Sequence, residues 1–170
     1  MSEELGKVMK VGYIPDAFGQ IAQTPQILRG FEIDSAVIFR GVGNEGDTLK
    51  SEFIWRAPDQ TSYVLTHWLV DGYGTLEKVS EDVKNALSEI DFAVKRFLVK
   101  ASTRNVLLMN GMDHVEAQPH IPLIVKQANQ ESPNRKFKIG TLPEFFAAVR
   151  KDNPKLSKYQ GEFRGAKYGS

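Results

Sequence analysis

The stretch Lys10-Val11-Gly12-Tyr13-Ile14-Pro15-Asp16-Ala17-Phe18-Gly19-Gln20 is where the fold first becomes legible. A short apolar run reaches Pro15, which has no N–H to give to a ladder, so the strand stops there and the chain turns. Next, Thr24-Pro25 places a hydroxyl before a proline, the pattern of an N-cap and a first helical position, and Gly30 marks the helix end. Ala36-Val37-Ile38-Phe39 is then a continuous apolar run, as expected of a strand covered on both faces. Strand, helix, strand in so short a span predicts an α/β fold, a mostly parallel sheet with covering helices.

The same punctuation continues downstream. Gly41 to Thr48 is glycine-rich and reads as loop; Gly41-Val42-Gly43 is not taken for a dinucleotide fingerprint, since no helical pattern opens there. Phe53-Ile54-Trp55 and Tyr63-Val64-Leu65-Thr66 are strands separated by the turn Ala57-Pro58-Asp59-Gln60. Val83, Leu87, Ile90, Val94, Phe97 and Leu98 share one helical face, with Ser80 as the expected cap. Val106-Leu107-Leu108-Met109 reads as another buried strand, Pro122 opens a helix to about Gln130, and Phe137-Lys138-Ile139 reads as a short strand. Thr141-Leu142-Pro143-Glu144 is a capping box that opens a last helix. Residues 1–9 read as a leader, 10–153 as the body and 154–170 as an extended basic tail. A doubly wound sheet and a β/α barrel both fit; in either, a site lies where the carboxyl ends of the strands meet the loops.

Composition narrows the function classes. The 22 basic and 21 acidic residues leave a formal net charge of +1, without the basic excess of a nucleic-acid binder. With no cysteine there is no disulfide framework or thiolate metal site, and a cytoplasmic protein is the default expectation. The apolar runs are far too short to span a membrane. By length alone, 170 residues make one ordinary domain.

The strand-end rule selects the chemistry. Asp16 and Phe18 follow the first strand, Arg40 closes the second, Thr66-His67-Trp68 ends the fourth, and Asn110-Gly111-Met112-Asp113-His114 follows the fifth. Asp16 alone reads first as an Asx-turn ending a strand, and otherwise as a carboxylate held there as nucleophile or metal ligand; Asp113 alone reads as a solvated turn residue. Together they suggest general acid/base work, since two carboxyls in unlike environments can be driven to unlike protonation, as glycoside hydrolysis requires. Arg40 either pairs with a neighbouring carboxylate or orients one in a site. His67 and His114 read first as hydrogen-bonded structural groups, and His120 as a residue at a helix entry. Phe18, Trp68 and Tyr73 are core or loop packing, or a sugar platform.

Gly12 to Gln20 with Pro25-Gln26-Ile27-Leu28 and Gly30-Phe31 resembles the aspartate motif of glycoside hydrolase family 38, the α-mannosidases. Arg40-Gly41, Phe53-Ile54-Trp55-Arg56 and Leu107-Leu108-Met109-Asn110-Gly111-Met112-Asp113-His114 follow in that family's order and spacing, closest to bacterial members. The resemblance implies part of a seven-stranded β/α barrel-like catalytic domain and a zinc-dependent, retaining hydrolysis of α-mannosides. It makes Asp16 the nucleophile and a zinc ligand, Asp113 the acid/base, and Phe18, Arg40 and Tyr73 substrate-side residues.

The family takes its other zinc ligands from a His-x-His-Trp-Asp-like motif upstream and a His-Asp motif downstream, and this sequence has neither. Family members are also several times longer. The chain therefore reads as an internal piece of the catalytic domain: inactive and weak in zinc alone, acting on an α-mannoside oligosaccharide or glycoside with the rest of a parent chain, and prone to self-association. A metal-dependent carbohydrate deacetylase and a non-catalytic sugar-binding module stay open as alternatives.

Overall fold

The computed structural model describes residues 4–165. The elements are β1 (Gly12–Ile14), α1 (Thr24–Gly30), β2 (Ser35–Ile38), α2 (Glu45–Thr48), β3 (Glu52–Arg56), β4 (Tyr63–Trp68), α3 (Val83–Leu98), α4 (Ile121–Glu131), α5 (Leu142–Lys151) and β5 (Lys158–Gln160). The strands form one sheet in the order β1-β2-β4-β3-β5. β1 with β2, β2 with β4 and β3 with β5 are parallel, and β3 with β4 is antiparallel. The fold is mixed α/β with a five-stranded, mostly parallel sheet.

Strand β2, paired on both sides, behaves as its composition requires. Ala36, Val37 and Ile38 are all fully buried. Alternation sends Ala36 and Ile38 to one face, among Trp55, Val64, Trp68 and Phe163, and Val37 to the other, among Val11, Leu65, Phe146 and Val149. Helix α5 thus covers one face of the sheet while aromatic side chains fill the other. A third cluster joins α3 to α4 through Ala86, Ile90, Val94 and Ile124.

Several boundaries differ from the sequence expectations, each for a local reason. Thr24 is the first residue of α1, and Gln23 holds the cap position. The cap of α3 is Asp82, whose Oδ1 accepts from Asn85 N–H at 2.9 Å, while Ser80 supports the cap by accepting from Asp82 N–H. Val106 to Met109 is not a strand: Leu107 and Met109 pack on the Val37 face of the sheet while Leu108 joins the α3–α4 cluster. A continuous apolar run records burial on two sides, and here two clusters supply it without a ladder. Phe137 to Ile139 is likewise no strand, because the Asn129 side-chain amide takes both backbone bonds of Phe137, at 2.8 and 2.9 Å.

Within the expected loop Gly41 to Thr48, α2 makes one turn of helix. Gly41, Gly43 and Gly46 do have the spacing G-x-G-x-x-G, but four residues of helix make no phosphate-binding terminus, and Gly41 and Gly43 serve a chain crossing described below. Between Pro154 and Gly165 the chain is paired: β5 lies parallel to β3, and Phe163 is fully buried. No helix among the described residues is long and apolar enough to cross a membrane.

Candidate active site

The carboxyl ends of β1 and β2 sit side by side because the two strands are parallel, with Ile14 opposite Ile38. The turn after β1 carries Asp16 and the residue pair after β2 carries Phe39 and Arg40. A backbone bond from Arg40 N–H to Pro15 O, 3.2 Å, ties the two turns together. Arg40 Nε then donates to Asp16 Oδ1 at 2.6 Å. The guanidinium also lies over two rings, 4.5 Å from the centre of Phe18 and 5.4 Å from that of Phe39. Its carbon stem and planar head therefore hold one orientation, as a bidentate or stacked arginine does and a lysine would not.

β4 follows β2 in the sheet, and the loop beyond it brings Tyr73 to the same rim. Phe39 meets Tyr73 edge to face with centroids 6.1 Å apart. The Tyr73 hydroxyl donates to Asp113 Oδ2 at 3.2 Å. Asp113 reaches this point from the extended segment that ends in Gly111, whose φ of 130° only glycine adopts freely. His114 follows with φ of 61° and is exposed.

Asp16, Arg40, Tyr73 and Asp113 thus form one run of contacts along the rim. The hydrogen bond to Asp16 raises the Arg40 pKa above its ordinary value, so the guanidinium is a fixed positive charge between the two acids. Partial burial, then the bond to Asp113, raises the Tyr73 pKa, so its hydroxyl keeps the proton that it donates. Tyr13 belongs with this group, although sequence reasoning passed over it. Its pKa is raised by burial first, then by the nearness of Tyr73 and Asp113. The one sign of it in the sequence is its place two residues before Pro15, on the strand that ends in the site.

Phe18 stands 76% exposed beside Arg40, an apolar ring offered to solvent at the rim. The other aromatic candidate is elsewhere: Trp68 is fully buried in the core. His67 is also turned away from the rim, buried against Glu52 with its Nδ1 2.8 Å from Oε1, and His120 sits at the start of α4. Both are the structural histidines that their positions suggested. Among the described residues, no group of three or more His, Asp or Glu side chains is arranged to hold a metal ion, and Asp16 alone does not make a zinc site.

The chain as a whole is similar to known proteins. A protein assigned as a mannosylglycerate hydrolase in Halalkalibacterium halodurans is 33% identical over 172 aligned residues, covering 93% of this chain and 19% of that protein. Alpha-mannosidase G of Dictyostelium discoideum is 28% identical over 164 residues, 94% of this chain and 14% of its own length. An alpha-mannosidase crystal structure from Enterococcus faecalis V583 superimposes with a TM-score of 0.87 at 28% identity, covering 95% of this chain and 19% of that one. The chain therefore spans about a fifth or less of the relatives it matches. Residues 1–162 match the family described as glycosyl hydrolases family 38, N-terminal domain, and the chain belongs to that family.

Proposed function

We propose that this chain is the part of a family-38 catalytic domain that carries both carboxyl groups of a retaining hydrolysis of α-mannosidic bonds. The observation that carries the reading is the connected rim: Asp16 held by Arg40 at 2.6 Å, and Asp113 held by Tyr73 at 3.2 Å. Membership of the family and the likeness to alpha-mannosidases support it. The likeness over 95% of this chain also supports placing it within a larger, barrel-like domain of seven strands. A cytoplasmic location goes with this reading, on the cysteine-free composition.

In this reading Asp16 is the nucleophile. Its carboxylate attacks the anomeric carbon, and the bond to the leaving oxygen breaks as Asp113 gives that oxygen a proton. Asp113, now ionised, then takes a proton from water as the water displaces Asp16. Arg40 holds and aims Asp16, Tyr73 orients Asp113, and Phe18 offers a ring to the apolar face of the sugar. Asp16 is also the zinc ligand this chain would contribute. One carboxylate does not fit a complete site, so the remaining ligands are proposed to lie outside these residues.

Turnover of a nitrophenyl α-mannoside tests the proposal. The isolated chain with added zinc should be inactive, and a longer protein containing it should be active. In the longer protein, Asp16→Ala should abolish turnover, and the first product seen by NMR should be the α-anomer. Near-normal rates in Asp16→Ala would overturn the role of that residue. On an acetylated glycoside assayed in parallel, release of acetate with the glycosidic bond intact would point instead to a deacetylase.

A further inference from the structure

Four glycines from three separate stretches of the sequence meet at one crossing behind the rim. A Cβ on Gly41, whose φ is 97°, would lie 2.9 Å from the Cα of Gly19 and 2.9 Å from Phe163 O. A Cβ on Gly43 would lie 2.9 Å from the Cα of Gly165, and one on Gly165 would run into the backbone of Gly43. A Cβ on Gly19 would be 3.1 Å from Phe163 O. Three chain segments therefore touch backbone to backbone: the turn after β1, the loop after β2, and residues 161–165.

Hydrogen bonds close the crossing. Gln20 N–H donates to Phe163 O and Phe163 N–H donates to Gln20 O, both at 2.8 Å, and Gly165 N–H donates to Gly41 O at 2.6 Å. The Gln20 side chain reaches back to Ile14 O and Ala17 O, bracing the turn on either side of Asp16. The far side of the crossing is anchored in the core. The Phe163 ring stacks on Tyr159 with centroids 4.4 Å apart and meets Trp55 edge-on at 5.1 Å. Trp55 Nε1 donates to Gly161 O at 2.9 Å.

We infer that residues 161–165 are a positioning strap for the site: Phe163 and Gly165 fix the turn carrying Asp16 against the loop carrying Arg40. Gly19 lies three residues past Asp16, and Gly41 directly follows Arg40. The strap thus sets the relative placement of the two partners of the 2.6 Å ion pair through backbone contacts. Sheet pairing alone leaves this open, because β1 and β2 end at Ile14 and Ile38, before either residue. The effect on catalysis rests on Asp16 being the reacting carboxylate; the effect on the ion pair does not.

The experiment therefore reads both. In the full chain, the Arg40 Nε–H resonance and its solvent exchange report the pair to Asp16. Gly165→Ala should keep the shifts of Val37 and Ile38 methyls while Arg40 Nε–H exchange accelerates at least about tenfold. Glu162→Ala, which removes an outward side chain from the same strap, should leave that exchange unchanged. In a longer active protein, Gly165→Ala should lower kcat by about a hundredfold, the scale of a 1 Å misplacement, with KM moved less than about threefold. A folded Gly165→Ala variant with Arg40 exchange as in the unmodified chain overturns the inference.

If that variant does not fold, native-state amide exchange of the unmodified chain decides. Gln20, Arg40, Phe163 and Gly165 amides should open as one unit, below the global unfolding free energy. An Arg40 amide that stays protected after the Phe163 and Gly165 amides have exchanged overturns it equally. Full activity in Asp16→Ala would remove the proposed function and leave the strap intact.

Discussion

Glu52 and His67 stand opposite each other across the antiparallel pair β3–β4, with Glu52 Oε1 2.8 Å from His67 Nδ1. Both side chains are buried, Glu52 almost completely at 1% exposure. The carboxylate also accepts from the Ser51 hydroxyl at 2.9 Å and from Ser102 N–H at 2.7 Å, so it pins the connection after α3 to the sheet. Burial is the largest influence on this carboxyl and acts to raise its pKa, but the bonds from His67, Ser102 and Ser51 together hold it below the ordinary 4.5.

Removing this group should be among the most damaging single changes in the chain. Glu52→Ala leaves His67 and Ser102 N–H without their partner inside the core, and loss of one side of a buried pair costs about 3–5 kcal/mol. The pH dependence has a definite sign. A carboxyl whose pKa is depressed by folding stabilises above its unfolded value of 4.5, and that contribution disappears as pH falls through the folded pKa. Urea midpoints taken from about pH 7 to about pH 3 should fall steeply for the natural chain and flatten in Glu52→Ala. Equal slopes in the two proteins would refute the assignment.

Tyr73→Phe removes one oxygen and keeps the ring that meets Phe39. It deletes the 3.2 Å bond to Asp113 and leaves the sheet untouched. For a longer active protein, kcat should fall roughly tenfold to a hundredfold, the range for one hydrogen bond to a charged group. An unchanged rate would separate Tyr73 from the proposed acid/base.

Much of this rim was legible because it obeys a positional rule. Pro15 ends β1, the apolar run stops just before Arg40, and parallel pairing of β1 and β2 then brings Asp16 and Arg40 to the same end of the sheet. Tyr73 and Asp113 lie after segments whose apolar runs were equally clear, even though Val106 to Met109 forms no ladder. What the residues concealed were the decisions made by distant partners. Phe163 sits in a polar, basic stretch that locally favours nothing but extension, and its burial follows from pairing with Trp55 and Gln20. The Glu52–His67 pair was hidden for the same reason: β3 and β4 are antiparallel neighbours, and register, not composition, places the two side chains face to face. The glycines at 41 and 43 read as loop because a close chain crossing has no local signature.

The start of α5 offers a smaller, separable test. Thr141 N–H donates to Glu144 Oε2 at 2.7 Å, the capping box expected from the sequence, and Lys138 Nζ pairs with Glu144 Oε1 at 2.9 Å. The Lys138 bond first, then Thr141, holds the Glu144 carboxyl at about 2, against an ordinary 4.5. Its contribution is therefore present above pH 4.5 and is lost as pH falls toward 2. Thr141→Ala should cost about 1 kcal/mol of stability. Glu144→Gln should reduce the natural chain's loss of stability below pH 4.5. Added salt should weaken the exposed Lys138 part and spare the backbone bond. Thermal melts at two salt concentrations measure the split, and identical salt slopes for the natural chain and Lys138→Ala would count against it.

The outer edge of β1 carries the last prediction. Among the described residues β1 has one ladder partner, β2, and forms one end of the sheet. Around that edge Met9, Tyr13, Phe18 and Ile21 are all exposed. An unpaired strand edge beside apolar side chains is a template for a second strand, and natural sheets usually guard such edges with charge. Tyr13 is the outward residue of β1 and is apolar in its ring. The isolated chain should therefore self-associate, with an apparent mass above its 19.1 kDa by light scattering and a fraction that grows with concentration. Tyr13→Lys should return it toward the monomer by placing a charge on the edge. A strictly monomeric profile across the concentration range, or association undiminished in Tyr13→Lys, would show that this edge is not the surface through which the chains meet.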